Sequence, residues 1–403
     1  MAVLEESTLD LKLSDRVQLI KPSPTLAVTN RAAELRAEGK DIIGLGAGEP
    51  DFDTPDHIKA AAAEAIDKGF TKYTAVDGTP GLKSAIIDKL KADNGLNYEA
   101  NQILVSCGGK QSFFNLALAL LNDGDEAIIP APYWVSYPDM VLVAGGVPKF
   151  IETDVNSRFK ITPEQLEAAI TPKTRLFVIN SPSNPSGMAY SVEELAALGE
   201  VLKKHPDIII ATDDMYEHIL WTGKPFVNIV NACPELYDRT VVMNGVSKAY
   251  SMTGWRIGYA GGPQKLIAAM KKVQSQSTSN PASISQAAAE AALAGDQGCV
   301  DEMVKAFKER HDYLTAALDA LPGVKCAQGD GTFYAFPDFS EAIANLDGVE
   351  SDTDLAALLL ETAEVALVPG SAFGAPGCMR LSFAVGMDTL KEAIRRIEQA
   401  LAK

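Results

Sequence analysis

The sequence predicts an α/β protein with a large, mostly parallel sheet flanked by helices, and a smaller α+β domain built from both chain ends. Short apolar runs alternate with helix-like segments between residues 103 and 261, and several of these runs are unbroken Ile, Val and Leu. Unbroken apolar runs are typical of strands buried on both faces, and their alternation with helices is typical of parallel sheets. The 403 residues, 47% of them hydrophobic, suffice for two or three structural units.

The first unit is predicted from short apolar runs that alternate with helix-like segments. The candidate strands are Ile103–Cys107, Glu126–Pro130, Pro148–Glu152, Arg175–Asn180, Ile208–Asp213, Thr240–Asn244 and Ile257–Gly261. The helix-like segments between them are Gln111–Leu121, Tyr133–Ala144, Pro163–Ala169 and Val192–Lys204. Because parallel strands need long crossover connections, helices in these positions favour one large sheet.

The second unit is predicted from a change of pattern downstream. Residues 283–321 are rich in Ala and charge, which predicts long helices, and short strand-like and helical segments follow: Thr332–Phe336, Asp354–Glu361, Val365–Val368, Met379–Ala384 and Thr389–Leu401. Residues 15–46 precede the main sheet and are expected to fold with this C-terminal part. We therefore expect a large domain over 47–282, a small domain over 15–46 and 283–403, and an N-terminal arm over 1–14.

The composition excludes several classes of function. Acidic residues outnumber basic ones by 53 to 36, and the net charge of −17 disfavours nucleic acid and anionic membranes as partners. Five cysteines without a CxxC motif indicate a reducing compartment, and four histidines without HxxxH spacing argue against a metal site. The N-terminus lacks the features of a signal peptide, and the longest uncharged apolar stretch, Ser112–Asn122, is far too short to span a membrane. We expect a cytoplasmic protein.

Two loops that follow predicted strands are candidate ligand sites. Gly108, Gly109 and Lys110 join a strand to a helix, where free backbone N–H groups and the helix dipole attract anions. An ordinary tight turn explains the same glycines, and neither GxGxxG nor GxxxxGK[ST] is present. The loop Asn180–Gly187 contains two prolines and follows another strand, where ligands of open α/β sheets bind. Asn184 offers an amide there, although turn chemistry alone also accounts for the loop.

An acid, a phenol, a lysine and an arginine follow the next two strands. Asp213 ends a buried strand, where a carboxylate is costly without a cationic partner, and Tyr216 lies three residues further on. The alternative for Asp213 is a helix N-cap. A desolvated lysine has a lowered pKa and can form a Schiff base. The alternative for Lys248 is an ordinary surface lysine, but its neighbours are Ser, Ala, Tyr, Met and Trp and do not form a polar face. Arg256 could bind a phosphate as a fork.

Taken together, these groups match the requirements of one cofactor. The phosphate of pyridoxal 5′-phosphate needs helix N–H groups and an arginine, and its aldehyde needs a lysine. Its ring nitrogen needs a carboxylate in order to stay protonated, and its phenolate oxygen needs hydrogen-bond donors. The sequence therefore predicts an enzyme that depends on pyridoxal phosphate.

Long motifs extend this interpretation to a family. They are KPSPTLAV (21–28), AGEPDFDTP (47–55), TKYTAVDGTPGL (71–82), PYWVSYP (132–138), NSPSNPSG (180–187), DDMYEH (213–218) and SKAYSMTGWRIGY (247–259). With these motifs the chain resembles the fold-type I aminotransferases, and specifically the aspartate aminotransferases of the bacterial and plant-plastid subgroup. The resemblance runs from about residue 13 to the C-terminus, and it implies the fold of that family.

The resemblance implies a role for each matching residue. Lys248 would be the internal-aldimine lysine and would move the proton between the substrate α-carbon and the cofactor, while Asp213 would hold the pyridinium. The implied cofactor contacts are Gly109, Lys110, Trp134, Asn184, Asp213, Tyr216, Ser247, Lys248 and Arg256, with Tyr73 reaching across from the partner subunit of a homodimer. The implied substrate contacts are Thr25, Gly48, Lys110, Trp134, Asn184 and Arg380, of which Arg380 would clamp the α-carboxylate.

The implied reaction is L-aspartate plus 2-oxoglutarate giving oxaloacetate plus L-glutamate by a ping-pong mechanism. The sequence departs from relatives at Asp214, where most have Glu, and at Gly245, where animal-type enzymes have a phosphate-binding Ser. Residues 275–283 contain no cation that could bind a distal carboxylate. In this subgroup Lys110 and Thr25 are associated with acidic substrates, and the same pair occurs in relatives that transaminate prephenate.

Several alternatives therefore remain open at this stage. The same chemistry could act on prephenate, alone or beside aspartate, on aromatic amino acids or on alanine. A C–S β-lyase and an aminocyclopropane-forming lyase are more distant options on this scaffold. A DNA-binding regulator would need a basic N-terminal module, and a nicotinamide-dependent dehydrogenase would need a glycine fingerprint; the sequence has neither.

Overall fold

The computed structural model describes residues 11–402, so the first ten residues of the predicted N-terminal arm lie outside the described residues. Its strands are β1 (Ile43–Gly44), β2 (Ile103–Ser106), β3 (Glu126–Pro130), β4 (Val147–Ile151), β5 (Thr174–Asn180), β6 (Ile209–Asp213), β7 (Thr240–Gly245), β8 (Gly258–Gly261), β9 (Tyr334–Ala335), β10 (Val365–Ala366), β11 (Val368–Pro369) and β12 (Met379–Ser382).

The helices lie between and after these strands. They are α1 (Asp15–Gln18), α2 (Pro24–Ala37), α3 (Asp56–Asp67), α4 (Pro80–Asn94), α5 (Gly109–Leu120), α6 (Ser136–Val143), α7 (Pro163–Ala169), α8 (Val192–Lys203), α9 (Ile229–Ala232), α10 (Gln264–Ser275), α11 (Ser283–Ala294), α12 (Gly298–Asp319), α13 (Ser340–Ala344), α14 (Asp352–Thr362) and α15 (Met387–Leu401).

A seven-stranded sheet with the order β2-β8-β7-β6-β5-β3-β4 forms the centre of the molecule. Strands β7, β6, β5, β3 and β4 run parallel, and β8 is antiparallel to both of its neighbours. The register pairs Asn180 with Asp213 and Asp213 with Met243. This sheet confirms the predicted fold class, and it brings the carboxyl ends of β5, β6 and β7 to one edge.

Local sequence signals set several helix boundaries. Helix α8 begins at a capping box, in which Ser191 and Glu194 each accept a hydrogen bond from the other's backbone N–H. Helix α4 begins at the Thr79 cap, whose hydroxyl accepts from the Leu82 N–H, and ends at Gly95 with φ of +66°. These caps explain why α8 begins after Ser191 and why α4 spans the residues between Thr79 and Gly95.

The C-terminal strands form two further small sheets. Strand β1 pairs in parallel with β10, and β11, β12 and β9 form an antiparallel sheet. Pairing of β1 with β10 places Ile43 beside Val365 and Gly44 beside Ala366. The prediction of one strand over Val365–Val368 was wrong, because the chain leaves one sheet at Ala366 and enters the other at Val368. All of these residues are buried, so the apolar run carries no sign of the switch.

Buried apolar side chains form a core around each part of the molecule. Helix α11 contributes Ala288, Ala289 and Ala292 to the core around the main sheet, together with residues of α3 and α4. Helices α12, α14 and α15 surround a second core with the C-terminal strands. The division into a domain over 47–282 and one over both ends stays a prediction. No helix between residues 11 and 402 is long and apolar enough to cross a membrane.

Candidate active site

A cavity of about 350 Å³ lies where β5, β6 and β7 end. Asn180 ends β5, Asp213 ends β6, and Ser247 and Lys248 follow β7. The cavity brings together every predicted site residue except Tyr73: Thr25, Gly48, Gly109, Lys110, Trp134, Asn184, Asp213, Tyr216, Ser247, Lys248, Arg256 and Arg380. These residues are separated by up to 355 positions in the sequence, from Thr25 to Arg380 (380 − 25). The site therefore depends on the fold of the whole chain.

Tyr73 lies apart from this cavity. Its side chain is 92% exposed in the single chain, the highest exposure among the large hydrophobic side chains of residues 11–402. An exposed tyrosine of this kind is typical of a surface that contacts another molecule. The prediction that Tyr73 acts across a subunit interface is compatible with this exposure.

Lys248 carries an amine into the cavity from the loop after β7. Its Nζ donates a hydrogen bond to the Gly48 carbonyl oxygen and lies 5.8 Å from the centre of the Phe333 ring. Burial lowers the pKa of Lys248 to about 8, and the positive charge of Arg380 adds to the shift. A lysine in this environment is available as a neutral nucleophile and base near physiological pH.

Asp213 presents a carboxylate at the end of β6. Its Oδ2 accepts a hydrogen bond from the Tyr137 hydroxyl, and its Oδ1 accepts one from the Met215 N–H at 3.2 Å. Burial raises the pKa of Asp213, while the bond from Tyr137 acts in the opposite direction. Residues 215–218 form a turn and not a helix, so the N-cap interpretation of Asp213 does not apply.

The first turn of α5 forms a cup for an anion together with Arg256. The N-cap Gly108 has φ of +87°, and a Cβ on it would lie 2.3 Å from an Arg256 guanidinium nitrogen. The approach therefore requires glycine at this position. Gly109 and Lys110 begin the helix, and Lys110 Nζ lies 5.3 Å from the centre of the Trp134 ring. Burial and the charge of Arg256 lower the pKa of Lys110. The Arg256 guanidinium and the N-terminus of the helix make the cup electropositive.

Arg380 is a buried cation in the wall of the cavity, and it is 2% exposed. Its guanidinium donates to the Asn184 side-chain oxygen at 2.9 Å and to the Gly46 carbonyl oxygen at 2.8 Å. Its Nε has no hydrogen-bond partner, and Arg380 forms no ion pair with a carboxylate anywhere in residues 11–402. A buried guanidinium without a carboxylate is costly, which indicates that it receives the negative charge of a ligand.

Thr25 adds a further polar atom to the wall of the cavity. Its hydroxyl oxygen is buried, and within the described part of the chain it has no hydrogen-bond partner. Such an atom favours a polar ligand group nearby. The cavity thus contains an electropositive cup, a buried carboxylate, a lysine of lowered pKa and a buried arginine. This set fits a molecule with a phosphate, a ring nitrogen and an aldehyde, in the company of a carboxylate substrate.

A comparison with models of known protein families identifies the family of this chain. Residues 40–397 match the family model described as aminotransferase class I and II. The chain belongs to this family. The matched range covers the whole of the large sheet, most of the C-terminal part and every residue that lines the cavity except Ser23, Thr25 and Leu26.

Individual relatives agree with this assignment over almost the whole length of the aminotransferase. The chain is 64% identical to the aspartate/prephenate aminotransferase of Nitrosomonas europaea, over 97% of this chain and 100% of the relative. It is 51% identical to the aspartate aminotransferase of Geobacillus stearothermophilus, over 96% of this chain and 98% of the relative.

Solved structures share the fold. The aspartate aminotransferase of Rhizobium meliloti is 50% identical and superposes with a TM-score of 0.94, over 97% of this chain and 99% of the other. The Thermus thermophilus aspartate aminotransferase with maleate is 42% identical and superposes with a TM-score of 0.91, over 97% of this chain and 100% of the other. The predicted fold-type I aminotransferase architecture is confirmed.

Several residues in the cavity of this aminotransferase escaped the sequence reasoning. Tyr334 is buried in the cavity wall, and Asn180 donates to the Asp213 carbonyl oxygen at 2.8 Å. Tyr334 lies in a predicted strand, but nothing in that apolar run indicated which side chain faces the site. Glu49, Ser136, Met215 and Thr253 also line the cavity.

Asp214 is not one of the residues that line the cavity. It accepts hydrogen bonds from the Thr212 hydroxyl at 2.6 Å and from the Asn228 amide at 2.8 Å. Burial, followed by the nearby charge of Glu217, raises the pKa of Asp214 to about 7. Because Asp214 does not line the cavity, its replacement of Glu leaves the cavity wall unchanged.

Proposed function

We propose that this aminotransferase uses pyridoxal 5′-phosphate to transfer the amino group of L-aspartate to 2-oxoglutarate, giving oxaloacetate and L-glutamate by a ping-pong mechanism. The observation that carries the proposal is the convergence of Lys248, Asp213 and Arg380 on one cavity. The cofactor, when bound, supplies an aldehyde that takes up the amino group and a ring that withdraws electrons from the substrate α-carbon.

Lys248 and Asp213 perform the proton chemistry in this proposal. Lys248 Nζ would accept the proton from the substrate α-carbon and pass it to the cofactor. Accepting the proton requires a neutral amine. Its pKa of about 8 leaves roughly a tenth of the amine neutral at pH 7, whereas an exposed lysine would be almost fully charged. Asp213 holds the proton on the ring nitrogen, and the bonds from Tyr137 and Met215 help to keep its carboxylate ionised.

The remaining cofactor contacts orient the group. The N–H groups of Gly109 and Lys110, the Ser247 hydroxyl and the Arg256 guanidinium bind the phosphate in the electropositive cup. Trp134, whose ring centre lies 5.2 Å from that of Tyr137 in a T-shaped arrangement, would stack on the cofactor ring. Tyr216 and Asn184 donate hydrogen bonds to the ring oxygen.

Arg380 binds the substrate α-carboxylate in this scheme, with the Gly48 N–H assisting. The unpaired Nε in the described structure supports this role, because a carboxylate satisfies both the charge and the missing acceptor. A fork of this kind fixes the α-carbon in front of Lys248 and excludes water from the buried arginine.

Lys110 and Thr25 bind the side-chain carboxylate of aspartate. Lys110 lines the cavity and forms no ion pair with a carboxylate within residues 11–402, and the Thr25 hydroxyl is unsatisfied, which supports an anionic group at this end of the substrate. The same residues favour a second candidate acceptor, prephenate, which also carries two carboxylates. The name of the Nitrosomonas europaea relative, aspartate/prephenate aminotransferase, supports this dual specificity.

We also propose a homodimer in which Tyr73 of each subunit reaches the phosphate cup of its partner. The 92% exposure of Tyr73 in the single chain supports the proposal, because an aromatic ring of that size gains stability when a partner covers it.

An assay of product formation tests the activity. With pyridoxal phosphate, aspartate and 2-oxoglutarate, the protein should form oxaloacetate, and Lys248→Ala should lower kcat by at least about 100-fold, the smallest usual contribution of a general base. Lys265→Ala, at an exposed lysine, is the control and should retain full activity. Near-normal turnover in Lys248→Ala, or release of ammonia in place of transamination, would overturn the proposal.

A further inference from the structure

Tyr334 is a buried phenol in the cavity wall to which the proposed mechanism assigns no role. It lies on β9, next to β12, and its side chain is 1% exposed. The register pairs Tyr334 with Ser382, so Arg380, two residues before Ser382, projects from the same face of the sheet. The geometry of this small sheet therefore holds Tyr334 and Arg380 against each other.

Two aromatic rings enclose the Arg380 guanidinium. Its central carbon lies 4.5 Å from the centre of the Tyr334 ring and 4.9 Å from the centre of the Phe373 ring. Cation–π contacts at these distances stabilise the buried charge and restrict the orientation of the fork. On the Tyr334 side this contact uses the ring and not the hydroxyl, so the hydroxyl is available for a hydrogen bond.

The Tyr334 hydroxyl contacts Tyr216. The two phenol oxygens are 3.1 Å apart, and either atom can be the donor in this hydrogen bond. A Cβ on Gly48 would lie 3.0 Å from the Tyr334 oxygen, so the Tyr334 hydroxyl is packed against Gly48. The carbonyl oxygen of the same Gly48 accepts a hydrogen bond from Lys248 Nζ. One hydroxyl thus connects the residues proposed to bind the cofactor and the substrate.

The proposed contact between Tyr216 and the ring oxygen sets the direction of this hydrogen bond. Burial raises the pKa of both phenols, and the charge of Arg380 offsets part of the rise in each, so these effects act on the two phenols alike. Tyr216 has a single hydroxyl proton, and when that proton is donated to the ring oxygen, the 3.1 Å contact between the phenol oxygens requires Tyr334 to be the donor. The proton of Tyr216 then points into the cavity that Tyr216 lines.

We propose that Tyr334 is a positioning residue that donates to the Tyr216 oxygen and so directs the Tyr216 proton toward the ring oxygen of the cofactor. The inference rests on the proposed function, because it needs pyridoxal phosphate beside Tyr216. A hydroxyl that receives a hydrogen bond becomes a better donor itself. Tyr334 therefore strengthens the bond that stabilises negative charge on the ring oxygen.

The pH titration of the visible absorption band of the loaded, substrate-free enzyme tests this role. Negative charge on the ring oxygen favours the deprotonated form of the Lys248-bound cofactor, so weaker donation by Tyr216 raises the midpoint. Tyr334→Phe keeps the ring over Arg380 and removes the hydroxyl, and it should raise the midpoint by about half a pH unit, a roughly threefold change in the proton affinity.

Tyr216→Phe provides the matched background. In the double variant, Tyr334→Phe should cause no further change in the midpoint, because Tyr334 acts through Tyr216. The affinity for succinate, a dicarboxylate without an amino or oxo group, should stay within about twofold in Tyr334→Phe, since the ring contact to Arg380 remains.

The outcomes separate this inference from the proposed function. A wild-type protein that shows no titrating visible band with pyridoxal phosphate contradicts the proposed function. A titrating wild type whose midpoint does not move in Tyr334→Phe overturns the positioning role alone. Equal shifts with and without the Tyr216 hydroxyl, or a tenfold loss of succinate affinity, also overturn it, since either result indicates general damage to the cavity.

Discussion

Replacing Lys248 with methionine should stabilise the cofactor-free protein, because a buried amine is costly to keep charged. Burial lowers the pKa of Lys248 from 10.5 to about 8, a difference of about 2.5 units. One pKa unit corresponds to about 1.4 kcal/mol, so the charged amine destabilises the folded state by about 3 kcal/mol at pH 7. Methionine fills a similar volume without a charge.

The pH dependence of this effect has a defined sign. Below pH 8 the amine is protonated in both the folded and the unfolded chain, and the full cost is present. Between pH 8 and 10.5 the unfolded chain binds a proton that the folded chain does not, so the cost falls as the pH rises. The advantage of Lys248→Met should shrink from about 3 kcal/mol at pH 7 to less than about 1 kcal/mol at pH 10.

Urea unfolding of protein stripped of cofactor measures this difference at the two pH values. Lys265→Met, at an exposed lysine, is the matched control and should show little difference from the parent at either pH. A Lys248→Met variant that is no more stable than the parent at pH 7, or whose advantage is the same at pH 10, would refute the reasoning. Agreement would show that the site sacrifices stability for a reactive amine.

Three further predictions concern specificity, stability and assembly. Lys110→Ala should raise KM for aspartate more than for a neutral amino acid in steady-state assays; equal effects would exclude Lys110 as the side-chain reader. Glu217→Gln should lower the free energy of unfolding by about 3–5 kcal/mol in urea titrations, because Lys89 loses its buried ion-pair partner. The Lys89 side chain is only 4% exposed, so adding Lys89→Met should restore most of the lost stability. Tyr73→Phe should weaken cofactor affinity by about 10-fold in binding titrations, the effect of one hydrogen bond to a charged group, and unchanged affinity would contradict a contact across the dimer.

The main sheet was predictable because burial on both faces leaves a strong pattern. The runs at Ile208–Asp213 and Arg175–Asn180 differ from the observed strands by one residue at their first position. The helix that begins after Gly108 was predicted to start two residues late, since Gly109 has a low helix propensity. The sharp turn before this helix is recognisable only from the positive φ of Gly108.

The small sheets were harder to predict. Their strands are two to four residues long, and such short buried runs do not show where one sheet ends and the next begins. The split at Leu367 and the pairing of Ile43 with Val365 depend on contacts between distant parts of the chain. Helices α3 and α4 were not predicted, although α4 carries a Thr79 cap and a terminal glycine that signal its ends.

Much of the candidate site could be inferred because its residues stand at the ends of buried strands. Asp213 and Lys248 were singled out by charge in an apolar setting, and both line the cavity. Arg380 was assigned only through the resemblance, because an arginine within a short strand has no distinctive sequence signal. Tyr334 was missed, since its orientation toward Arg380 follows from the register of β9 with β12, which the sequence does not reveal.

The most direct test of the account is the absorbance spectrum of the purified protein loaded with pyridoxal phosphate, before and after addition of L-aspartate without any oxo acid. We predict a visible band of the lysine-bound cofactor that aspartate converts to the band of pyridoxamine phosphate, with one equivalent of oxaloacetate formed. Prephenate or 2-oxoglutarate should then restore the first band. A protein that shows no such band, or a band that aspartate leaves unchanged, would contradict the claim that this cavity carries out the first half-reaction on aspartate.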